Sequence, residues 1–340
     1  MIRANAERLR RLLHGLQTAV RDALIAARAH SRTSSRFSEV AVITPADTIY
    51  RIDRTAEAAV RDWFERRWPR GWPVELVMEG LEDRPAVYPR GTPLDRTIVK
   101  CIVDPIDGTR GLMYDKRSAW VLTAFAPQRG ARTELRDLFV AAMTELPTSR
   151  QTFSEQWSAI RGRGRRGVSG KLMDLRTGRT VAIRPTPSAA RDCRHGFASL
   201  VKFFPEGRAL TARIEEDLWR ELAPPESNGS PIVFDDQYLT TGGQIRELLV
   251  GHDRMVGDVR PLVFRRLGLG TTLACHPYDL CAALVLTEAG GVVEDPEGGP
   301  VRAPLDTTSS VAWIGYANAR LARAVRPALR RVLRRHLYAI

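Results

Sequence analysis

Apolar residues recur at helical spacing through Leu9, Leu12, Leu13, Leu16, Val20 and Leu24, with the arginines left to the other face, so residues 2–29 are predicted as an amphipathic helix. A short extended or loop stretch at 44–52 leads to a second helix at 54–68, ended by Pro69, Gly71 and Pro73. Apolar, partly β-branched runs of strand length follow at 74–78 and 97–103, joined by a Pro-rich loop. Further runs at 119–126, 135–144, 152–160, 180–183 and 196–204 are separated by turn residues in the manner of an antiparallel sheet.

From about Pro205 the pattern changes. Helices are predicted at 205–222, 242–250 and 277–289, then a strand at 311–316 and a final helix, so this half reads as α/β. Residues 223–230 have no helical pattern and read as a loop. The boundary falls near 185–192, giving an N-terminal α+β half (1–190) and a C-terminal α/β half (191–340) within one compact unit.

Composition narrows the classes. The 340 residues carry a net charge of +13, with 44% apolar and 27% charged, which is globular and excludes disorder as the main state. The longest apolar stretches, 120–126 and 281–286, fall far short of the roughly 20 residues needed to span a bilayer. The arginines scattered through the first helix do not fit a secretory leader, so a cytoplasmic location is expected. Cys101, Cys193, Cys275 and Cys281 lack metal-site spacing and read as buried thiols. Arginines crowd a Gly-rich turn at 161–166 and the last helix. Such clusters would suit nucleic acid or acidic lipid, but no interleaved aromatics or recognition motif accompany them, and solvated helix faces explain them better.

The chemistry concentrates in Ile102-Val103-Asp104-Pro105-Ile106-Asp107-Gly108-Thr109. A buried strand is expected to end at Asp104, because Pro105 cannot donate to a ladder, and Gly108 lets the chain turn sharply after Asp107. Two carboxylates held this close repel. A hard divalent cation with oxygen ligands relieves that repulsion, Mg²⁺ above all where a substrate phosphate completes the shell. The plain alternative is a helix cap or Asx-turn. His195, His252 and His276 lack nucleophile partners at telling spacing and read as structural or pocket-lining.

Asp104-Pro-Ile-Asp107-Gly-Thr109 resembles the central motif of the inositol monophosphatase superfamily of metal-dependent phosphatases. His276-Pro-Tyr-Asp279-Leu-Cys-Ala-Ala, running on to Thr287-Glu-Ala-Gly-Gly291, resembles that family's C-terminal signature, and the pair in this order is far more specific than either alone. The resemblance covers residues 41–316 and is weakest between 129 and 237. It implies a layered α/β/α/β/α sandwich, often dimeric. It also implies two or three Mg²⁺ ions held by Asp104, the Ile106 carbonyl, Asp107, Asp279 and Glu79, with Glu82 as the reserve for Glu79.

Arg51-Ile-Asp53-Arg-Thr-Ala-Glu57 resembles another family segment, which implies that Asp53 binds a third metal or orients Thr109, the two helping to activate a water. Read alone, Asp53 is a cap for the second helix, and Glu57 is structural. The implied catalytic set is therefore Thr109, Asp53 and Glu79, acting by direct water attack on a phosphate monoester. Gly108, Thr109, Arg110, Gly242, Gly243 and Asp258 are the expected substrate contacts. Arg110 would hold a second phosphate or a surface carboxylate, and Asp253, Asp258 and Arg260 would recognise hydroxyls or form structural ion pairs. Thr272 stands where inositol phosphatases have a hydroxyl-binding Glu, so the expected substrate widens to inositol phosphates, sugar phosphates or bisphosphates, and bisphosphate nucleotides. The contrasting class is a non-catalytic protein of the same fold that binds RNA through its arginines.

Overall fold

The computed structural model describes residues 2–29, 40–43, 48–81, 86–222, 232–270 and 274–338. Helix α1 (Ala6–Ala29) buries Leu9, Leu13, Leu16, Val20 and Leu24, the stripe that the spacing predicts. A hairpin of β1 (Val40–Ile43) and β2 (Thr48–Tyr50) leads into α2 (Arg51–Arg67). This helix starts three residues before the expected position. Tyr50 is its cap residue, and Asp53, at the third helical position, accepts the Tyr50 amide at 2.8 Å.

Strands β3 (Val74–Met78), β4 (Ala86–Tyr88) and β5 (Val99–Asp107) come next, then the short helix α3 (Thr109–Met113). They are followed by β6 (Ala119–Pro127), β7 (Val140–Leu146), β8 (Phe153–Ile160), β9 (Ser169–Asp174) and β10 (Thr180–Ile183). These eight strands form one sheet in the order β10-β9-β8-β7-β6-β5-β3-β4, antiparallel except for the parallel β3–β5 pair.

The second half supplies β11 (Gly196–Leu200), α4 (Arg208–Leu222), β12 (Val233–Phe234), α5 (Thr241–Val250), β13 (Asp253–Asp258) and α6 (Arg260–Leu267). It ends with α7 (Pro277–Leu280), α8 (Ala283–Glu288), β14 (Val292–Glu294), β15 (Trp313–Tyr316) and α9 (Ala319–Leu333). Its five strands are ordered β12-β11-β13-β15-β14, the first three parallel. Helices α1 and α2 cover one face of the large sheet, α5, α7 and α8 fill the space between the two sheets, and α4 and α9 cover the far face of the small one. The result is the expected α/β/α/β/α sandwich.

Burial on both faces of the central strands explains their nearly unbroken apolar runs. Along β6 the side chains alternate between two cores, with Trp120, Leu122 and Ala124 facing the middle helices and Val121 and Phe125 facing α1 and α2. Among the described residues no helix is long and apolar enough to cross a membrane.

Several expectations are corrected. The strand expected to stop at Asp104 continues to Asp107, because a bulge between Asp104 and Asp107 takes Pro105 out of the ladder while Asp104 Oδ1 accepts the Ile106 amide at 2.9 Å. The run 135–144 begins as a 3-10 turn closed by Asp137 on the Glu134 amide, and its strand starts at Val140. Helix 277–289 is two helices, broken at Cys281 and Ala282. The strand from Gly196 ends at Leu200, leaving Phe203 and Phe204 beyond it. Strands β9 and β13 were not anticipated, since their charged and glycine residues hide the period-2 pattern. The predicted loop at 223–230 and the residues Glu82 and Thr272 lie outside the described residues.

Gln17 ties α1 to the large sheet. Its fully buried amide donates to Thr123 Oγ1 at 2.7 Å and the Ala142 carbonyl at 2.8 Å and accepts from Thr144 Oγ1 at 2.7 Å. Gln17→Ala would leave two buried hydroxyls short of partners beside a cavity. Urea unfolding should show a loss of about 2–4 kcal/mol, and a loss below about 0.5 kcal/mol would contradict this account.

Candidate functional site

The parallel register that sets Met78 opposite Val103 carries Glu79 to the level of Asp104, and the Glu79 amide donates to the Val103 carbonyl at 3.3 Å. The bulge then brings Asp104 and Asp107 to the same side of the strand end. Gly108 follows with φ of 100°, a left-handed conformation that side chains rarely adopt, and starts α3. A Cβ at Gly108 would lie 3.0 Å from Thr240 Cβ and 3.1 Å from the Leu239 carbonyl oxygen, so the space there is tight as well.

Asp279 arrives from the opposite half. His276 caps α7, Pro277 occupies its first turn, and the His276 amide donates to Asp279 Oδ2 at 2.5 Å. Carboxylate oxygens of Asp104, Asp107 and Asp279 all lie within 4.8 Å of one another. Asp104 and Asp107 are buried, while Asp279 is half-buried.

Burial is the first cause that pushes all three carboxyls above the usual range, and neighbouring carboxylates add to it. For Asp104 the largest of those neighbours is Glu79, which is not one of the three. Opposing the rise at Asp107 are Thr240 Oγ1, which donates at 2.6 Å, and the amides of Thr241 and Gly242. At Asp279 the His276 amide and the Arg260 charge oppose it. The set offers oxygen donors only and could hold a metal ion.

Thr109 Oγ1 lies 2.9 Å from Asp53 Oδ1 and 3.0 Å from the Ile106 carbonyl, with donor geometry to both. Asp53 comes from the first turn of α2, so the hydroxyl bridges two elements beside the carboxylates. Glu57, one turn on, packs against Gly80, where a Cβ would come within 2.6 Å of its Oε1.

The other expected site residues sit as follows. The Gly242 amide is directed at Asp107 and the Gly243 amide at Thr240 Oγ1. Both oxygens of Asp258 face the buried Arg260 guanidinium, with Arg260 Nη2 at 2.5 Å from Oδ2. That guanidinium lies 4.6 Å from the Phe203 ring centre and 5.5 Å from that of Phe204, and the Arg110 guanidinium lies 5.6 Å from the Phe204 ring centre. His276 is turned to the Ser309 carbonyl at 2.8 Å, and His252 to Glu247 at 2.5 Å. His195 occupies a left-handed backbone position, with φ of 56°.

Sequence reasoning missed Thr240 and Thr241. The available signal was Thr240-Thr241-Gly242-Gly243 opening an apolar helix, where a threonine cap is expected.

The architecture and this cluster at the strand end define the chain as an α/β/α/β/α sandwich of the sugar-phosphatase type. Solved structures share this fold. A structure of the extragenic suppressor protein SuhB from Bartonella henselae matches 95% of this chain and 98% of its own at a TM-score of 0.64 and 17% identity. Fructose-1,6-bisphosphatase from Leishmania major matches 94% and 92% at 0.65 and 12%, and an inositol monophosphatase from Zymomonas mobilis 95% and 98% at 0.53 and 19%. No family model and no curated protein sequence matches the chain. The chain has the fold of the inositol monophosphatase superfamily.

Two buried carboxyl groups and a half-buried third, held this close with no counterion, cost folding energy whether they stay charged or take up protons. Asp104→Asn replaces a carboxyl that must there be either charged or protonated with a neutral amide and keeps an acceptor for the Ile106 amide, so in EDTA it should raise the thermal midpoint above wild type. A lower midpoint under those conditions would contradict the repulsion.

Proposed function

We propose that the protein is a Mg²⁺-dependent phosphomonoesterase that hydrolyses a small phosphorylated metabolite, an inositol phosphate or a sugar phosphate. The observation that carries the reading is the convergence of Asp104, Asp107 and Asp279 within 4.8 Å, beside the Thr109–Asp53 contact. A family fold alone names no reaction. Carboxylates clustered at the carboxyl end of a strand, with a hydroxyl relay next to them, do indicate one.

The donor set fits the cation. Oxygen ligands with no nitrogen or sulfur suit a hard ion such as Mg²⁺, and Asp104, Asp107 and Asp279 would hold it, with Glu79 and the Ile106 carbonyl completing the ligands. When bound, the ion would neutralise charge on the phosphoryl oxygens and the departing alkoxide and make water a stronger nucleophile.

The chain's own residues supply the remaining steps. Thr109 Oγ1 takes a proton from the attacking water as it passes its own to Asp53 Oδ1. Asp53 is held for this task through its other oxygen, which accepts the Tyr50 amide at 2.8 Å. Gly108 and Thr109 place backbone amides at the turn after Asp107, where a phosphate oxygen would lie, and Arg110 stands at the rim beside Phe204. Asp258 is engaged by Arg260, so a hydroxyl of the substrate would meet this pair as a unit.

The test is phosphate release from a panel of inositol, sugar and nucleotide monophosphates and bisphosphates. Turnover of one group should require Mg²⁺, vanish in EDTA and vanish in Asp104→Asn. Thr109→Val should lower kcat by about 10²–10⁴-fold with the fold intact. A folded protein that binds Mg²⁺ yet releases no phosphate from any compound would overturn the reading.

A further inference from the structure

Asp107 is held differently from its two neighbours. Asp104 accepts the Ile106 amide and Asp279 the His276 amide, whereas three donors converge on Asp107, all from the start of α5. They are unevenly shared. Oδ2 takes the Thr240 hydroxyl at 2.6 Å and the Gly242 amide, and among the described residues Oδ1 takes only the Thr241 amide at 3.2 Å. A carboxylate oxygen offers about two lone-pair sites, so Oδ2 is filled while Oδ1 keeps acceptor capacity.

Thr240 is central to this arrangement. Its hydroxyl hydrogen goes to Asp107, and its oxygen accepts the Gly243 amide at 3.0 Å, so one side chain caps the helix and orients the carboxylate. Its Cβ also faces the turn at Gly108, the residue after Asp107. The seating of the helix depends on missing side chains. A Cβ at Gly243 would come 2.3 Å from Tyr238 Cε1, and one at Gly242 would come 2.7 Å from Leu122 Cδ2 and 3.1 Å from Asp107 Oδ2. Tyr238 cannot yield easily, since its hydroxyl donates to the Ser118 carbonyl at 3.0 Å and its ring lies under the Arg117 guanidinium.

We propose that Thr240 is a positioning residue that sets divalent-cation affinity, by fixing the orientation of the Asp107 carboxylate within the cluster it forms with Asp104 and Asp279. This rests on the cation-dependent reading above. Groups that orient a metal ligand in this way are commonly worth about 10–100-fold in affinity. Gly242 and Gly243 act in the same device by giving the helix its clearance.

The experiment is calorimetric titration of the full chain with Mg²⁺, and with Mn²⁺ as a second probe, alongside thermal unfolding in EDTA and at saturating cation. Thr240→Val should raise Kd by about tenfold or more and narrow the gap between the two midpoints, while Thr240→Ser, which keeps the hydroxyl, should bind within about threefold of wild type. Should Thr240→Val fail to fold, Thr240→Ala provides the same comparison, because it removes the hydroxyl without adding a second methyl at the turn by Gly108. A cap with no role at the cation would lower both midpoints equally and leave Kd unchanged, which overturns the proposal. Wild type that binds neither ion would overturn the cation reading and this inference with it. Binding by wild type and Thr240→Val alike would overturn the inference alone.

Discussion

Carboxylates brought within 4.8 Å of one another inside a protein repel, and burial makes the repulsion stronger by removing water. Most of the surrounding architecture can be understood as what holds Asp104, Asp107 and Asp279 together against it. Asp104 and Asp107 are fixed by a bulged strand buried on both faces, and Asp279 by a helix start delivered from between the two sheets. Backbone amides, the Thr240 hydroxyl and the nearby Arg260 charge offset part of the repulsion. The rest is what a bound cation would relieve.

Strain and clearance serve the same end. The left-handed turn at Gly108 lets α3 start directly after Asp107, which puts Thr109 within 2.9 Å of Asp53. Glycines at 242 and 243 let α5 approach close enough for its first amides to reach Asp107. Glu57 fills the space beside Gly80, next to the residue that carries the Glu79 carboxylate. A side chain at Gly242 would meet Leu122 and one at Gly243 would meet Tyr238, so either would disturb the seating of α5.

Legibility in the sequence follows the range of the interactions. Asp104 and Asp107 could be picked out because they sit in a short run whose residues act on one another locally, around Pro105 and Gly108, whereas Asp279 and the role of Thr109 were legible only through the family motifs they resemble. The amphipathic stripe of α1 and the strand Val74–Met78 were equally plain, since hydrophobic period alone decides them. Thr240 was not legible as a partner of Asp107, because 133 residues separate them and only the packing of α5 on β6 brings them together. Asp258 and Arg260 illustrate the opposite difficulty. Two residues that read equally as hydroxyl binders or as a structural ion pair do form a buried pair, and nothing in their spacing announces it. Several arginines of the last helix likewise meet carboxylates that are remote in sequence, Arg326 on Glu294 and Arg331 on Glu221.

The central claim is that the three carboxylates form a cation site, and the most direct test is crystallographic. Crystals soaked in Mn²⁺ should show an anomalous peak whose nearest protein ligands are the oxygens of Asp104, Asp107 and Asp279, and that peak should be lost in Asp104→Asn. Crystals in which Mn²⁺ occupies other positions while this cluster shows no peak would contradict the account.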